Sequence, residues 1–453
     1  MMSRWRWGLV PAVVTMGAMA HAEPMSDIDI EGVLDESFCA LEECIDLAVA
    51  RGPELEASRA QRDLAVAQKN ATRGNFGPKL KVDGGIQVWD GELATSFSAG
   101  IPGLEIPPLV VRESVTWNVN VVLAQPLAGL WTIYEAHELQ ALGVDVAALE
   151  TEMQSADKAV AVAEAWLSTL LADELVAVRE TSLGQRNSDK ARAMALVRAG
   201  VLVEADLSRV ELGVTEARQS LAIARRQAQL ARARLAMLVG EKKAPKPSEL
   251  SAKGAVVPLE EAKKRALENR VEVKQLTQRL AMAERAVNVA TSKMAPSVNL
   301  VAAAQFTGGS EFQQEAAAFV GLTFDWTVWE WGATKYGIDE ARARVREVKA
   351  RTRQLQDGVA LETEAAWVEH ASALDQAELA AEAVKVAGIN YELVRKRFEA
   401  KAATSFDVVE AENALTKARL DEKMASVAAL MARAKLARAM GGDAKEIARE
   451  GAP

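Results

Sequence analysis

Residues 114–123 read Ser-Val-Thr-Trp-Asn-Val-Asn-Val-Val-Leu, with Val115, Trp117, Val119, Val121 and Leu123 alternating against Ser114, Thr116, Asn118 and Asn120. A period of two marks a strand with one apolar and one polar face. Leu80, Val82, Ile86 and Val88 alternate in the same way with Lys79, Lys81, Asp83 and Gln87. In the second half of the chain Val298, Leu300, Ala302, Ala304 and Phe306 share a face, as do Ala318, Val320, Leu322, Phe324 and Trp326, with Asn299, Gln305, Thr323 and Asp325 opposite. The four strands, 78–89, 114–125, 296–306 and 316–326, have about the ten-residue length of a membrane-spanning β-strand.

Around the strands the chain repeats itself. Gly77-Pro78 answers to Ala295-Pro296, and 51–55 to 269–273, at an offset of 218. Trp166 answers to Trp367, Asp206 to Asp407, 215–218 to 416–419 and Gly240 to Gly441, at an offset of 201. One plan is therefore used twice, over 23–240 and 258–441, with a Pro- and Lys-rich linker at 241–257 and a tail at 442–453. The difference of 17 between the offsets places an extra loop in the first half, at 91–108.

Each repeat reads helix, strand, strand, long helix, break, helix. The stretches 133–197 and 334–399 contain no proline and are dominated by Ala, Glu, Arg, Leu and Val, which favours long uninterrupted helices. From Leu207 through Val210, Val214, Ala217 and Leu221 to Leu238, apolar residues recur every three or four positions, the pattern of a coiled-coil seam. Glu43–Arg73 and Ala205–Val239 have the combined length to run end to end beside the long helix between them.

The N-terminus carries Arg4 and Arg6, the apolar run 8–20 and the triplet Ala20-His21-Ala22, which read as a cleaved secretory signal over 1–22. Its removal, with two arginines and no acidic residue, takes the formal net charge from −9 to −11. An acidic exported chain is ill suited to binding nucleic acid. No later run of about 18 apolar residues suggests a membrane helix, so entry into lipid would be by strands. Cys39 and Cys44 are the only cysteines, and in an oxidising compartment they form either a disulfide or two free thiols.

Two soluble hairpins lying over helices would show the same alternation. Trp89, Trp117, Trp131, Trp326, Trp329 and Trp331 favour lipid, because indoles gathered at strand ends suit a membrane-interface girdle. Four strands cannot close a barrel, and lipid tolerates no open sheet edge, so a membrane-inserted chain must oligomerise.

The chain resembles the TolC-like outer-membrane efflux proteins. The resemblance rests on the duplicated plan, on Pro78 and Pro296 after a helix, on the strand-to-helix passages Ala124-Gln125-Pro126-Leu127 and Phe324-Asp325-Trp326-Thr327, and on the turns 198–207 and 401–408. It implies a mainly α fold with a transmembrane β-barrel: a homotrimer with a twelve-stranded barrel, four strands per protomer, and a periplasmic α-barrel. The localisation it implies is the outer membrane of a Gram-negative bacterium, extending into the periplasm. The breaks at 198–204 and 399–405 become the periplasmic tip, where Arg198, Gly200, Val201, Leu202, Lys401, Ala402, Ala403 and Thr404 would meet a periplasmic adaptor of an inner-membrane pump. The resemblance places a gate of acidic residues at Asp407 and Glu410, with Asp206 the counterpart in the first tip. Three copies around an axis would concentrate negative charge there. Asp206 also reads as a helix-start residue, and Glu410 faces either the lumen or bulk solvent. The Tyr and Arg that lock the gate in some members fall on Phe398 and Ala403, so that polar lock does not carry over. Lys401 stands where glycine is usual, whereas Gly200 keeps it.

His137 and His370, with two cysteines, do not form a zinc constellation, and neither a phosphate-cradling loop nor a nucleophile elbow is present. The expectation is thus a channel-tunnel without cofactor, metal or catalytic activity. The rival is a periplasmic coiled-coil scaffold or adaptor, which accounts for the helices and leaves the strands and tryptophans unexplained.

Overall fold

The computed structural model describes residues 38–96, 108–241, 246–247, 257–311 and 313–442 of the 453-residue chain. The expected signal segment, most of the linker and the C-terminal tail lie outside the described residues. In chain order the elements are β1 (Phe38–Cys39), α1 (Leu41–Arg51), α2 (Pro53–Arg73), β2 (Lys79–Val88), β3 (Leu93–Thr95), β4 (Leu109–Arg112), β5 (Val115–Ala128), α3 (Leu130–Arg198) and α4 (Glu204–Val239). The second repeat follows β6 (Lys246–Pro247) with α5 (Leu259–Asn269), α6 (Val271–Ser292), β7 (Ser297–Gly308), β8 (Ala316–Asp325), α7 (Ala333–Glu399) and α8 (Ser405–Ala439).

The long helices run 69 and 67 residues without interruption, as their lack of proline predicts. The first helix of each repeat is instead broken in two. In the first repeat Gly52 is extended (φ −64°, ψ 124°) ahead of Pro53, because proline disfavours a helical residue before it. In the second repeat Arg270 makes the same break. The loop expected at 91–108 contributes β3, which pairs with β4 just beyond it, and the linker contributes β6, which pairs in parallel with β1.

Three tiers share one lateral order. The four-stranded antiparallel sheet runs β2-β5-β7-β8. Beneath it the helices follow as α2-α3-α6-α7, and below those as α4-α3-α8-α7. Thus α2 and α4 stand end to end beside α3, while α6 and α8 do so between α3 and α7. One side of the protomer is β2, α2 and α4; the other is β8 and α7.

The main core lies where the tiers meet. Trp166 and Leu167 of α3, Leu41 and Ile45 of α1, Leu235 of α4 and Leu430 of α8 pack there, each 3% exposed or less. Cys44, in the same cluster, is fully buried and disulfide-bonded. Beside this core an ion network binds four helices: Arg438 joins Asp157 at 2.8 Å and Glu272 at 2.7 Å, and Arg270 joins Glu272 at 3.1 Å and Glu362 at 2.6 Å. Burial alone would raise the Glu272 carboxyl, but its hydrogen bonds to Arg438 and Arg270 bring it down to about 2.

Candidate functional site

Two regions carry the features that the sequence singles out: the sheet and the helical tips. In an antiparallel ladder directly opposed residues share a face, so register decides what each face presents. Leu80, Leu123, Ala302 and Val320 form one row, Val82, Val121, Ala304 and Ala318 the next, and Ile86 stands opposite Trp117. Apart from Gln125, opposite Leu300 toward the helical end, that face is apolar across the four strands and exposed in the protomer, with Leu80, Val82, Ile86 and Val320 each more than 60% accessible. The other face carries rows such as Asp83, Asn120 and Gln305, with Asn120 Nδ2 donating to Asp83 Oδ2 at 3.0 Å. Phe319, in the row of Lys81, Val122 and Ala303, places a large aromatic on the polar face. Neither β2 nor β8 has a partner on its outer edge among the described residues.

The tryptophans fall at two levels. Trp89, at the end of β2, lies under the Arg112 guanidinium at 3.8 Å and donates from Nε1 to Thr116 Oγ1 at 3.0 Å; Trp117 stands near the same end. Trp131, Trp326, Trp329 and Trp331 gather where strands give way to α3 and α7. Trp326 donates to the Met294 carbonyl at 3.2 Å, and Trp329 meets Trp331 edge to face at 5.8 Å.

At the tips, Gly200 and Lys401 both turn the chain with positive φ, +70° and +61°. Arg198, Gly200, Val201, Lys401, Ala402 and Thr404 are exposed, while Leu202 and Ala403 pack on a small core of Tyr391, Phe398, Val408, Ala411 and Leu415. Phe398 is thus a packing residue.

Asp407 closes a capping box: its Oδ2 accepts from the Thr404 backbone N–H at 2.7 Å, and its own N–H reaches Thr404 Oγ1 at 3.3 Å. The Thr404 amide, then its hydroxyl, holds the Asp407 carboxyl below the usual carboxylate range. Asp206, in the first turn of α4, accepts from Ser405 Oγ at 2.8 Å, so it joins the two tips as well as favouring its own helix start. Glu410 is exposed and lies one helical turn beyond Asp407.

Sequence reasoning missed a buried polar layer between α3 and α8. Glu412, 1% exposed, accepts from Ser182 Oγ at 2.6 Å and Thr416 Oγ1 at 2.8 Å, and its Oε2 stands 2.7 Å from Arg186 Nη2. Arg186 also donates to Asn413 Oδ1. A few residues along, Tyr391 donates to Asp189 Oδ2 at 3.2 Å. Burial pushes the Asp189 carboxyl up despite that bond, and burial with the Asp189 charge pushes the Tyr391 phenol up to about 12. The one signal in the sequence is Gly213 in mid-helix, where an added Cβ would stand 2.5 Å from Arg186 Nη1. Among the described residues no group of His, Cys, Asp and Glu is arranged to hold a metal, and no helix is long and apolar enough to cross a membrane.

An edge-open sheet of four strands continued by two long helical hairpins is the TolC-like fold. Residues 263–442, nearly the whole second repeat, match the family described as outer membrane efflux protein. Among solved structures it is similar to CusC, described with its transmembrane channel formation (TM-score 0.77, 16% identity, 90% of this chain and 94% of that one). It is similar too to the outer membrane protein VceC of Vibrio cholerae (TM-score 0.72, 15% identity, 89% and 96%). The Campylobacter jejuni CmeC outer membrane channel matches at TM-score 0.73 and 14% identity, over 91% and 89%. At these identities the likeness is one of fold. No curated protein matches the sequence.

Proposed function

We propose that the chain is one protomer of an outer-membrane efflux channel, extending into the periplasm and conducting substrates delivered by a pump and a periplasmic adaptor. The observation that carries this reading is the sheet: apart from Gln125, one face is apolar across the four strands, and both outer edges are open. Such a face suits lipid, and such edges must be paired by further copies before the sheet can enter it. Three protomers would supply twelve strands, an even number within the range of closed barrels. The polar face then lines the lumen, and the two levels of tryptophan mark the two membrane interfaces.

The tips form the periplasmic end. The exposed residues Arg198, Gly200, Val201, Lys401, Ala402 and Thr404, with Leu202 and Ala403 behind them, make the surface offered to the adaptor. Asp407 and Glu410, with Asp206 beside them, supply the acidic gate; the depressed Asp407 keeps its charge at neutral pH while capping its helix. Cys44 of α1 is disulfide-bonded, and Cys39 is the other cysteine of the chain. Energy comes from the partner pump.

Two measurements test the reading. The purified protein in a planar bilayer is expected to conduct; release by osmotic shock with no conductance would instead support a periplasmic scaffold. Asp407→Ala combined with Glu410→Ala is expected to weaken block by multivalent cations added on the periplasmic side. Unchanged block would remove these carboxylates from the gate.

A further inference from the structure

The two helical hairpins repeat one packing, and at one level they hold corresponding arginines in different ways. In the first hairpin Arg232 of α4 meets Asp173 of α3 at 2.7 Å. Thr169, one turn before Asp173, is fully buried with its hydroxyl on the Ala165 carbonyl. At the repeat offset of 201 these residues become Arg433 of α8 with Leu374 and His370 of α7. The arginine is kept, an apolar side chain takes the place of the carboxylate, and a histidine enters the seam.

His370 is 3% exposed, and Ala373, beside it on α7, packs on Ala429 and Ala432 of α8. The His370 ring donates to the Ala429 carbonyl, one turn before Arg433, and its Nδ1 is buried without a hydrogen-bond partner. A neutral imidazole, with one N–H and one bare nitrogen, suits this setting. A second proton would bury an N–H that has no acceptor and set a new cation beside Arg433. Burial first, and then the Arg433 charge, hold the His370 pKa below the ordinary histidine value, against the pull of the Ala429 carbonyl. The nearby carboxylates of α7 are engaged by other cations: Glu369 by Lys435 of α8 at 2.9 Å, Glu364 by Lys263 of α5 at 2.8 Å, and Glu362 by Arg270, just before α6, at 2.6 Å.

We propose that His370 is an acid-sensitive catch in the second hairpin: when it takes up a proton, α7 loosens from α8 at this level, while α3 stays fastened to α4 through Asp173 and Arg232. As pH falls, a solvated histidine is protonated near its ordinary value of 6.5 and the packed one only below it. The contribution of neutral His370 to the seam is therefore whole above that value and is lost as pH drops beneath it. Thr169, in the same place in the first hairpin, cannot titrate. The arm that loosens is the one that carries Asp407 and Glu410 at its tip, so acid acts on one hairpin of each protomer and leaves the other as a fixed strut.

The test is hydrogen exchange of the purified full chain in detergent at about pH 7.5 and about pH 5, on either side of the histidine range and corrected for intrinsic exchange rates. In the wild type, protection around His370 and Arg433 is expected to fall several-fold in acid, while protection around Thr169 and Arg232 holds. His370→Gln, which cannot take up a proton, should keep the second seam protected at both values. His370→Thr with Leu374→Asp, which copies the first hairpin into the second, should do the same. An equal acid loss in His370→Gln, or the same response from both hairpins of the wild type, overturns the catch. A direct reading needs no variant at position 370. His137 and His370 are the histidines beyond the expected signal segment, so labelled histidine gives two NMR signals, told apart by His137→Gln. The His370 signal should titrate below the free-histidine value and in step with the loss of protection; titration at or above that value overturns the proposal even if the seam variants fail to fold.

Discussion

The two helical tips are copies of one design that have come to use the same positions differently. Gly200 and Lys401 correspond and share a left-handed backbone, which glycine adopts freely and lysine adopts at a cost of about 1 kcal/mol. Val203 and Thr404 correspond as N-caps; Val203 supplies no side-chain bond, whereas Thr404 begins a capping box. In consequence Asp407 is held by its own helix, while Asp206 reaches across to Ser405 of the other tip. The first tip turns on a glycine, has no side-chain cap and bonds across to the second; the second turns on a strained lysine and caps its own helix. Duplication thus supplied two hairpins, and divergence made one of them depend on the other.

The largest break in this arrangement should come from the layer that joins the repeats. Arg186→Met would strand the Glu412 carboxylate in the interior and is expected to cost about 3–5 kcal/mol, measured by denaturant unfolding of the helical domain. Gly213→Ala crowds the same guanidinium and should cost about 1–3 kcal/mol. An effect as small as that of an exposed alanine substitution would show that Arg186 has room to move.

Smaller changes compare the tips directly. Gly200→Ala should destabilise the first tip and Lys401→Gly should stabilise the second, each by about 1 kcal/mol, read as hydrogen-exchange protection around each turn. Thr404→Ala should cost about 1 kcal/mol, and Val203→Thr should recover part of that at the first tip by giving Asp206 a capping partner. If Asp206 then leaves Ser405, the first tip will have become a copy of the second.

The pH dependence should differ as well. Asp407 has a depressed pKa, so its contribution is present above the ordinary carboxylate range and is lost as pH falls through its folded value. Tyr391 is raised from 10.0 to about 12, so stability near the second tip should decline as pH climbs through that window, where the unfolded chain gives up its proton first. Tyr391→Phe should abolish the alkaline decline and leave the acid one.

Much of this was legible in the residues. Strands with one apolar face, flanked by helices free of proline, disclose themselves through period and composition, and the structure keeps 297–308 and 316–325 within two residues of the expected 296–306 and 316–326. The duplication also extends to geometry that no pattern states, since Gly240 and Gly441 end α4 and α8 with φ of +76° and +77°. The polar layer was hidden for a physical reason. Glu412 sits among the charges of an amphipathic helix and reads as solvated, and its partners Ser182 and Arg186 are more than two hundred residues away. Only tertiary packing brings them together. The broken first helices were obscured because Gly52-Pro53 has no such marker at Arg270, where the backbone turns without glycine or proline.

The length of α3 and α7 has a mechanical consequence. Each is a single rod of roughly 100 Å that begins at the sheet and ends at a tip. A tilt of about 3° at the sheet end would carry the tip sideways by roughly 5 Å, close to one helical radius with side chains. Motions too small to disturb strand pairing would therefore be amplified into displacements wide enough to bring the acidic carboxylates together or draw them apart.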